Sequence, residues 1–215
     1  MPHKLILPVH VIGVGAGGSR TVRHLVAERA HIAGPLHLCD GDSVEEKNCK
    51  NQLYKPSHVG MRKVNALAEQ VREWSEGSVC PVLRPEYFTP GEHLSGVVFL
   101  CVDKMRVRKA IIDTSIRDNS AVSLLIEARG DTQNALMHFI DPNDEKQMQQ
   151  WDRYWYPDNE AVNQGDCGGV PTVGPRVADI TAYLAVQELV RRVSLSSLTA
   201  GQDCQFRIKL QTYAW

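Results

Sequence analysis

The sequence lacks the features that mark several classes of protein. It has no excess of one charge, because 24 Lys and Arg stand against 25 Asp and Glu, for a formal net charge of −1. Nucleic-acid binders usually carry a basic excess or stripe, so nucleic acid is not expected as a partner. No run is long and apolar enough to span a bilayer, so no membrane partner is expected either. We find no internal repeat and no low-complexity segment. These absences leave an ordinary globular protein as the expected class.

The cysteines form no zinc-binding pattern. They stand at positions 39, 49, 80, 101, 167 and 204, and no pair has the C-x-x-C spacing of structural zinc sites. The opening MPHKLILPVHVIGVG has a short apolar run that leads into a glycine-rich turn, which argues against a signal peptide. A reducing, cytoplasmic location is therefore expected.

What the sequence does contain is an alternation of strand and helix patterns. Short apolar or β-branched runs predict strands at 6–14, 36–39, 78–83, 96–102, 121–128, 135–140 and 205–211. Apolar residues at helical spacing predict helices at 19–30, 59–74, 105–117 and 177–193. This alternation is typical of an α/β, Rossmann-like fold, a mostly parallel sheet with helices on both faces. The length of 215 residues suits a single domain over 1–215.

One segment stands apart from this alternation. Residues 141–169 are polar and aromatic with no clear hydrophobic period, so a long loop with one helical turn is expected there. Its aromatic residues either cover part of the core or form a surface on which a partner docks. The aromatic residues are Trp151, Tyr154, Trp155 and Tyr156.

A glycine-rich turn follows the first predicted strand. Gly13, Gly15 and Gly18 fit G-x-G-x-x-G, in which the glycines permit a tight turn, close approach of a phosphate and close packing of helix on strand. Free N–H groups at the start of the next helix attract the anion. Asp40 ends the second predicted strand, where a ribose-binding acid belongs. These features predict a nucleotide site, although a turn used only for packing remains the alternative. On their own they also suit an NAD-dependent dehydrogenase.

The residues after Asp40 separate these possibilities. The sequence reads D-G-D-S-V-E-E-K-N-C-K-N-Q-L-Y and then K-P-S-H-V-G-M-R-K-V-N-A-L. With the glycine motif, it resembles the ThiF/MoeB/HesA family, which has G-x-G-G-x-G-S, then D-x-D-x-V-x-x-x-N-L-x-R-Q, then V-G-x-x-K. The resemblance covers most of the chain, is weakest over 141–166, and includes motifs that dehydrogenases do not carry. The matching positions are Gly13, Gly15, Gly18, Ser19, Asp40, Asp42, Val44, Asn48, Gln52, Val59, Gly60, Lys63 and Asp103.

This resemblance implies an activity and a set of roles. The family includes relatives of the ubiquitin-activating enzymes, which use ATP and Mg²⁺ to adenylate the C-terminus of a ubiquitin-like protein. By the resemblance, Asp40 would bind the ribose, Asn48 and Lys63 the phosphates, and Asp103 the magnesium ion. The glycines and Ser19 would surround the phosphates. The implied partner is a ubiquitin-like or sulfur-carrier protein with a Gly-Gly tail. The usual pairing of family members implies a homodimer, or a heterodimer with a related subunit.

Each of these residues also has a plainer interpretation. Lys63 could be a solvated helix lysine, and Asp103 could cap the helix predicted at 105–117. Asn48 could merely shape its loop. For Asp42, a structural and a functional role are equally supported.

Cys167 is a further candidate catalytic residue. It lies in D-C-G-G, just before V-P-T-V-G. Some family members carry a cysteine near this position that takes the activated acyl group, and a glycine-rich loop ahead of a helix suits a reactive thiol. The alternative is an incidental loop cysteine.

The sequence departs from the family pattern at one charged position. Asn51 stands where N-L-x-R-Q has its arginine, which by the resemblance would contact the ATP phosphates, and neither Lys50 nor Arg62 is in register with it. Asparagine has no charge and no guanidinium fork. The N-terminal helix with which many relatives lend an arginine across a dimer is not expected. These departures favour, as an alternative, a non-catalytic ThiF-like subunit that partners an active enzyme. Activation of a small molecule or of a modified tRNA base, and nicotinamide-dependent dehydrogenation, are weaker alternatives.

Overall fold

The computed structural model describes residues 3–130, 134–158, 174–198 and 204–209. Strands form one seven-stranded sheet. The strands are β1 Val9–Ile12, β2 Leu36–Cys39, β3 Val82–Arg84, β4 Gly96–Leu100, β5 Val122–Gly130, β6 Asn134–Ile140 and β7 Cys204–Lys209. Their order across the sheet is β3-β2-β1-β4-β5-β6-β7. Pairing is parallel from β3 to β5 and antiparallel from β5 to β7, which confirms the predicted mostly parallel sheet.

Helices connect these strands. They are α1 Ala16–Ala27, α2 Asn48–Asn51, α3 Lys63–Trp74, α4 Met105–Ile111, α5 Glu145–Asp152 and α6 Gly174–Ser194. A 3₁₀ turn, Pro56–His58, precedes α3, and a π-helical turn, Ile112–Ile116, extends α4. Within the described residues, none of these helices is both long and apolar enough to cross a membrane.

Apolar clusters cover the sheet on both faces. One cluster joins the sheet to α1, α3 and α6, for example through Val22, Leu67 and Leu189. The other joins it to α4 and α5. Successive residues of β5 alternate between the clusters, because Leu124 belongs to the first and Leu125 to the second. The predicted helices on both faces are therefore confirmed, and each fully buried aliphatic side chain contributes about 1.5–3 kcal/mol to stability.

The order of the strands fixes where a ligand can bind. β2 lies on one side of β1 and β4 on the other, so the strand order reverses between β1 and β4. In open parallel sheets this switch point leaves a crevice at the carboxyl ends of the strands, and ligands bind there. The turns that follow β1, β2 and β4 all open onto this edge.

The segment predicted as a long polar loop contains a regular helix. Asp144 caps α5, because its side chain accepts hydrogen bonds from the backbone N–H groups of Lys146 and Gln147. Trp151 is fully buried and Trp155 packs against the second apolar cluster. These two tryptophans thus cover the core, and the docking-surface interpretation is wrong for Trp151.

Several predicted bounds shift for local reasons. The helix predicted at 59–74 begins only at Lys63. Gly60, after the 3₁₀ turn, has a φ of +88°, which is not a helical conformation. The helix predicted at 19–30 begins at Ala16, since the last glycines of the motif belong to its first turn. The first strand is shorter than predicted and starts after Pro8, which has no N–H for sheet pairing.

Two histidines of the sheet make the stability of this fold depend on pH. His10 on β1 stacks on His37 of β2 with 4.5 Å between ring centroids. Burial and the neighbouring imidazoles, His37 first, lower the pKa of His10 to about 4. On β6, burial lowers the pKa of His138 to about 4, although the Glu127 carboxylate opposes the shift. Both pKa values lie below the ordinary value of 6.5.

We expect the free energy of unfolding to fall as the pH falls from 6.5 to 4. In this window the unfolded chain binds more protons than the folded chain, because the folded pKa values are depressed. For His138, which is 3% exposed, the loss by pH 4 is about 3 kcal/mol. Urea unfolding at several pH values measures it. A His138→Gln variant, which cannot titrate at that position, should lose less stability over the window, and an equal loss would contradict the assignment.

Candidate nucleotide-binding site

In the described residues, the glycine-rich turn between β1 and α1 has free space next to Gly15 and Gly17. Gly13 has a φ of +85°, and a Cβ there would lie 2.9 Å from the chain that follows β4. A Cβ on Gly18 would lie 1.9 Å from the Gly13 oxygen. These glycines are needed for the backbone to pack. Among the described residues, only the Gln52 amide comes within 4 Å of a Cβ placed on Gly15, and no atom comes within 4 Å of one placed on Gly17. A ligand can therefore approach the backbone at these two positions.

The start of α1 has the geometry that suits an anion. Gly15 is the N-cap and has no side chain with which to bond the first N–H groups, and no acidic residue lies in the first turn. Such N–H groups carry partial positive charge and need another acceptor. Ser19 is fully buried, and its hydroxyl accepts from the backbone N–H of Leu53 at 3.5 Å. Its side chain ties α1 to the chain after α2, and its backbone N–H donates to Gly15 O at 3.0 Å, so both groups of Ser19 serve the packing of α1.

Asp40 joins the turn after β2 to the glycine-rich turn. One carboxylate oxygen accepts from Val14 N at 2.8 Å, and the other accepts from Asp42 N at 2.8 Å. Burial raises the pKa of Asp40, although these backbone hydrogen bonds oppose the shift. A carboxylate has about four acceptor positions, so Asp40 can also accept hydrogen bonds from the hydroxyl groups of a ribose.

Lys63 is held at the same edge of the sheet. Only 9% of its side chain is exposed, and its Nζ donates to Asp42 Oδ2 at 2.8 Å. The interpretation of Lys63 as a solvated lysine is therefore wrong. Burial raises the pKa of Asp42, but hydrogen bonds from Lys63 and Tyr87 outweigh this effect and hold the pKa below its usual value. Asp42 is thus an ionised partner that positions the ammonium group.

Tyr87 is a part of the site that the sequence analysis missed. It follows β3, the neighbour of β2, and its hydroxyl donates to Asp42 Oδ1. The ring lies over Gly41, where a Cβ would stand 2.7 Å from a ring carbon. Tyr87 is nevertheless 69% exposed. An aromatic residue shortly after a parallel strand was the available signal, since the carboxyl ends of parallel strands share one edge.

The short helix α2 places three amide side chains beside the glycine-rich turn. Asn48 is buried, and its Oδ1 accepts from Glu45 N at 2.9 Å, so this carbonyl does shape the loop. Its amide nitrogen is the group with which a phosphate would interact. Within the described residues, Asn51 Oδ1 and Gln52 Oε1 are buried with no hydrogen-bond partner. Unsatisfied buried amides are costly, and they are rare away from places where function maintains them.

Asp103 lies exposed in the turn between β4 and α4. It does not cap α4, because no side chain at the N-cap position makes that bond and Met105 N donates instead to Asp158 Oδ1 at 2.7 Å. The capping interpretation is therefore wrong, and the carboxylate remains at the carboxyl edge of the sheet. No three His, Cys, Asp or Glu side chains of the described residues form a metal site. A magnesium ion that is also bound by the phosphates of ATP needs only one or two protein carboxylates. The single carboxylate of Asp103 meets this requirement.

The structure brings together most of the predicted site. The glycine-rich turn, Asp40, Asp42 and Lys63 are linked by the hydrogen bonds given above. Cys167 lies outside the described residues. Two other cysteines lie near the ends of β2 and β4, Cys39 and Cys101. Burial raises the pKa of both thiols to about 11, so neither is a thiolate at neutral pH.

The fold is an α/β fold of the Rossmann type, and a glycine-rich turn at the switch point, a buried acid after β2 and a held lysine lie where such folds bind nucleotides. The chain belongs to the ThiF family, which it matches over residues 7–213. No curated protein matches the sequence.

Solved structures of three proteins show the same fold. PaaA is 19% identical with a TM-score of 0.63, over 95% of this chain and 64% of that one. Escherichia coli MccB, solved with ATP, is 12% identical with a TM-score of 0.63, over 95% and 64%. E. coli TcdA, a tRNA N6-threonylcarbamoyladenosine dehydratase, is 19% identical with a TM-score of 0.59, over 88% and 86%. This chain thus spans 64% of the PaaA and MccB chains.

Proposed function

We propose that this chain binds ATP with Mg²⁺ and adenylates the C-terminal carboxylate of a ubiquitin-like or sulfur-carrier protein that ends in Gly-Gly. A carboxylate oxygen forms a bond to the α-phosphorus while the bond from that phosphorus to the β-phosphate oxygen breaks. The products are an acyl adenylate and pyrophosphate. The observation that carries the proposal is the position of Lys63, a nearly buried cation at the sheet edge onto which the glycine-rich turn opens.

The described residues divide the work of binding. The start of α1 and the open backbone at Gly15 and Gly17 receive phosphate oxygens. Asp40 accepts the ribose hydroxyls. Lys63 stabilises negative charge on the phosphates. Because this lysine is nearly buried, water screens the interaction only weakly. Asp103 would hold Mg²⁺, which would neutralise charge on the departing pyrophosphate.

The comparisons support ATP as the nucleotide. MccB has been solved with ATP and, in another structure, with AMPCPP and MccA. The partner with a Gly-Gly tail is supported by the sequence motifs around Asn48 and Lys63. A cytoplasmic location is supported by four cysteines that are free thiols, Cys39, Cys49, Cys80 and Cys101. Pairing with a second subunit is proposed from the resemblance.

Pyrophosphate exchange tests the proposal. We expect labelled pyrophosphate to enter ATP only when a carrier protein with a Gly-Gly tail is present. The matched control is the same carrier without its last glycine, which should support no exchange. Exchange with neither carrier, from a chain that binds Mg²⁺-ATP, would contradict adenylation of such a tail while leaving the nucleotide site in place.

Asp103→Asn is expected to weaken Mg²⁺-ATP binding by about tenfold. The amide keeps the shape of the side chain but removes the charge that attracts Mg²⁺. Calorimetry with Mg²⁺ and with EDTA measures the effect, and the variant and the wild type should agree in EDTA. Glu86→Gln, at an exposed carboxylate after β3, is the control. A variant that responds to Mg²⁺ as the wild type does would remove Asp103 from the metal site.

A second candidate is a non-catalytic subunit that partners an active enzyme. Asn51 favours it, because the side chain at this position has no charge to offer to the phosphates. In that case the isolated chain would show no pyrophosphate exchange with any Gly-Gly carrier. Replacement of Lys63 would not change the exchange activity of its complex with a related subunit.

A further inference from the structure

The charge missing at position 51 is present in another side chain beside it. Arg20 lies in α1 and is 6% exposed. Its Nη1 donates to the carbonyl oxygen of Asn51 at 2.8 Å and to that of Ala16 at 2.8 Å. On its other side, its Nε lies 4.0 Å from Oδ1 of Asp179 in α6, a half-exposed carboxylate that screens part of the charge. A guanidinium group therefore lies against the backbone of the residue that replaces the arginine of the family motif.

The contacts of Arg20 also place it near the phosphate-binding turn. Ala16 is the first residue of α1 and directly follows Gly15. Because Ala16 lies one turn before Arg20, the side chain runs back towards the start of the helix. The Gln52 amide lies 3.9 Å from where a Cβ of Gly15 would stand, so the end of α2 lies over the same turn. Arg20 thus joins the two elements that would surround the phosphates.

The other basic residues near position 51 lie elsewhere. Lys50 is exposed on α2. Arg62 donates to the carbonyl oxygen of Gly41, in the turn between Asp40 and Asp42, which is the side of the ribose. Lys63 is engaged by Asp42. Of these cations, only Arg20 bonds to residue 51 itself.

We infer that Arg20 supplies, from α1, the positive charge for the phosphates that side chain 51 no longer supplies. This inference rests on the proposed function, because it assigns a residue to the ATP site described there. Arg20 keeps α2 against α1 through its two carbonyl contacts, and its fixed charge attracts the phosphates of the nucleotide. Since an arginine at either position serves the same phosphates, the two positions should substitute for each other.

A swap of the two positions tests the inference. We expect Arg20→Gln to weaken Mg²⁺-ATP binding by about tenfold or more, and to weaken AMP binding less, because AMP carries fewer phosphates. Adding Asn51→Arg to this variant should restore ATP affinity. Arg23→Gln, at the exposed arginine of the next turn, should change nothing. Calorimetry gives the affinities, and thermal unfolding of each variant shows whether the fold is kept.

The other outcomes separate the two proposals. If Lys63→Ala weakens binding but Arg20→Gln does not, the inference is wrong and the proposed function stands. If Arg20→Gln weakens ATP and AMP equally, lowers the unfolding temperature and is not rescued by Asn51→Arg, then Arg20 only clamps the helices and the inference is again wrong. If the wild type and the Asn51→Arg variant both fail to bind Mg²⁺-ATP, the proposed function fails and the inference fails with it.

Discussion

Replacing Lys63 by alanine is expected to weaken Mg²⁺-ATP binding by about a hundredfold. The ammonium group is nearly buried, so its interaction with a phosphate is weakly screened by water. Asp42 already holds it in place, so little conformational freedom is lost when the nucleotide binds. Removing it also leaves the Asp42 carboxylate without its cation, and this negative charge then repels the phosphates. Both effects act against the ligand.

The fold should tolerate this change, which makes the result interpretable. The Asp42 side chain is 45% exposed, so the ion pair contributes only about 0–1 kcal/mol to stability. Calorimetric titration with Mg²⁺-ATP measures the affinity, and thermal unfolding checks the fold. Lys50→Ala, on the exposed side of α2, is the matched control and should bind as the wild type does. An unchanged affinity in Lys63→Ala would place the phosphates elsewhere.

Replacing Glu127 by glutamine is expected to lower the free energy of unfolding by about 3–5 kcal/mol. Glu127 is completely buried on β5 and forms ion pairs with Arg108 of α4 and Arg129. The neutral amide would leave both guanidinium groups in the interior without their carboxylate. The cost comes chiefly from these uncompensated charges rather than from the lost hydrogen bonds.

A surface ion pair provides the comparison. Lys55 and Glu73 form a pair in which both side chains are more than half exposed. Glu73→Gln should therefore change stability by less than about 1 kcal/mol. Urea unfolding at pH 7 compares the variants. Burial raises the pKa of Glu127, but the arginines, Arg108 first, outweigh it and hold the pKa below 4.5. Glu127 is thus ionised at pH 7, and its stabilisation is lost only as the pH falls through that depressed pKa. A small effect of Glu127→Gln at pH 7 would contradict this account.

The parts of the fold that local patterns control could be predicted from the sequence. The second strand was predicted at its observed bounds, since a short apolar run between a Gly-Pro turn and an acid leaves little choice. The glycine spacing identified the turn after β1, where Gly13 and Gly18 are crowded by backbone. By contrast, α5 was predicted only as a helical turn, because Met148 and Trp151 alone bury its inner face and so few apolar positions give no clear period.

Hydrogen bonds and ion pairs between elements could not be predicted, because their partners are far apart in the sequence. Arg108 stands in a charged stretch of α4, yet it is buried against Glu127 of β5. Asp103 reads as a helix cap, but Asp158, from beyond β6, takes that role. Propensity and spacing describe single elements, whereas these contacts depend on how elements pack. The sequence therefore predicted the glycine-rich turn after β1 and the acid after β2, but not the contacts of Tyr87 or Arg20.

The remote cap of α4 has a consequence for the order in which the protein forms during synthesis. Asp158 follows Met105 by 53 positions, so α4 gains its cap only after β5, β6 and α5 have left the ribosome. The glycine-rich turn, Asp40 and Lys63 all lie within the first 63 residues and can assemble earlier. The turn that carries Asp103 would be the last of these to settle. In nascent chains that end before Asp158, we therefore expect the glycine-rich turn, Asp40 and Lys63 to be folded while the turn with Asp103 is not yet fixed.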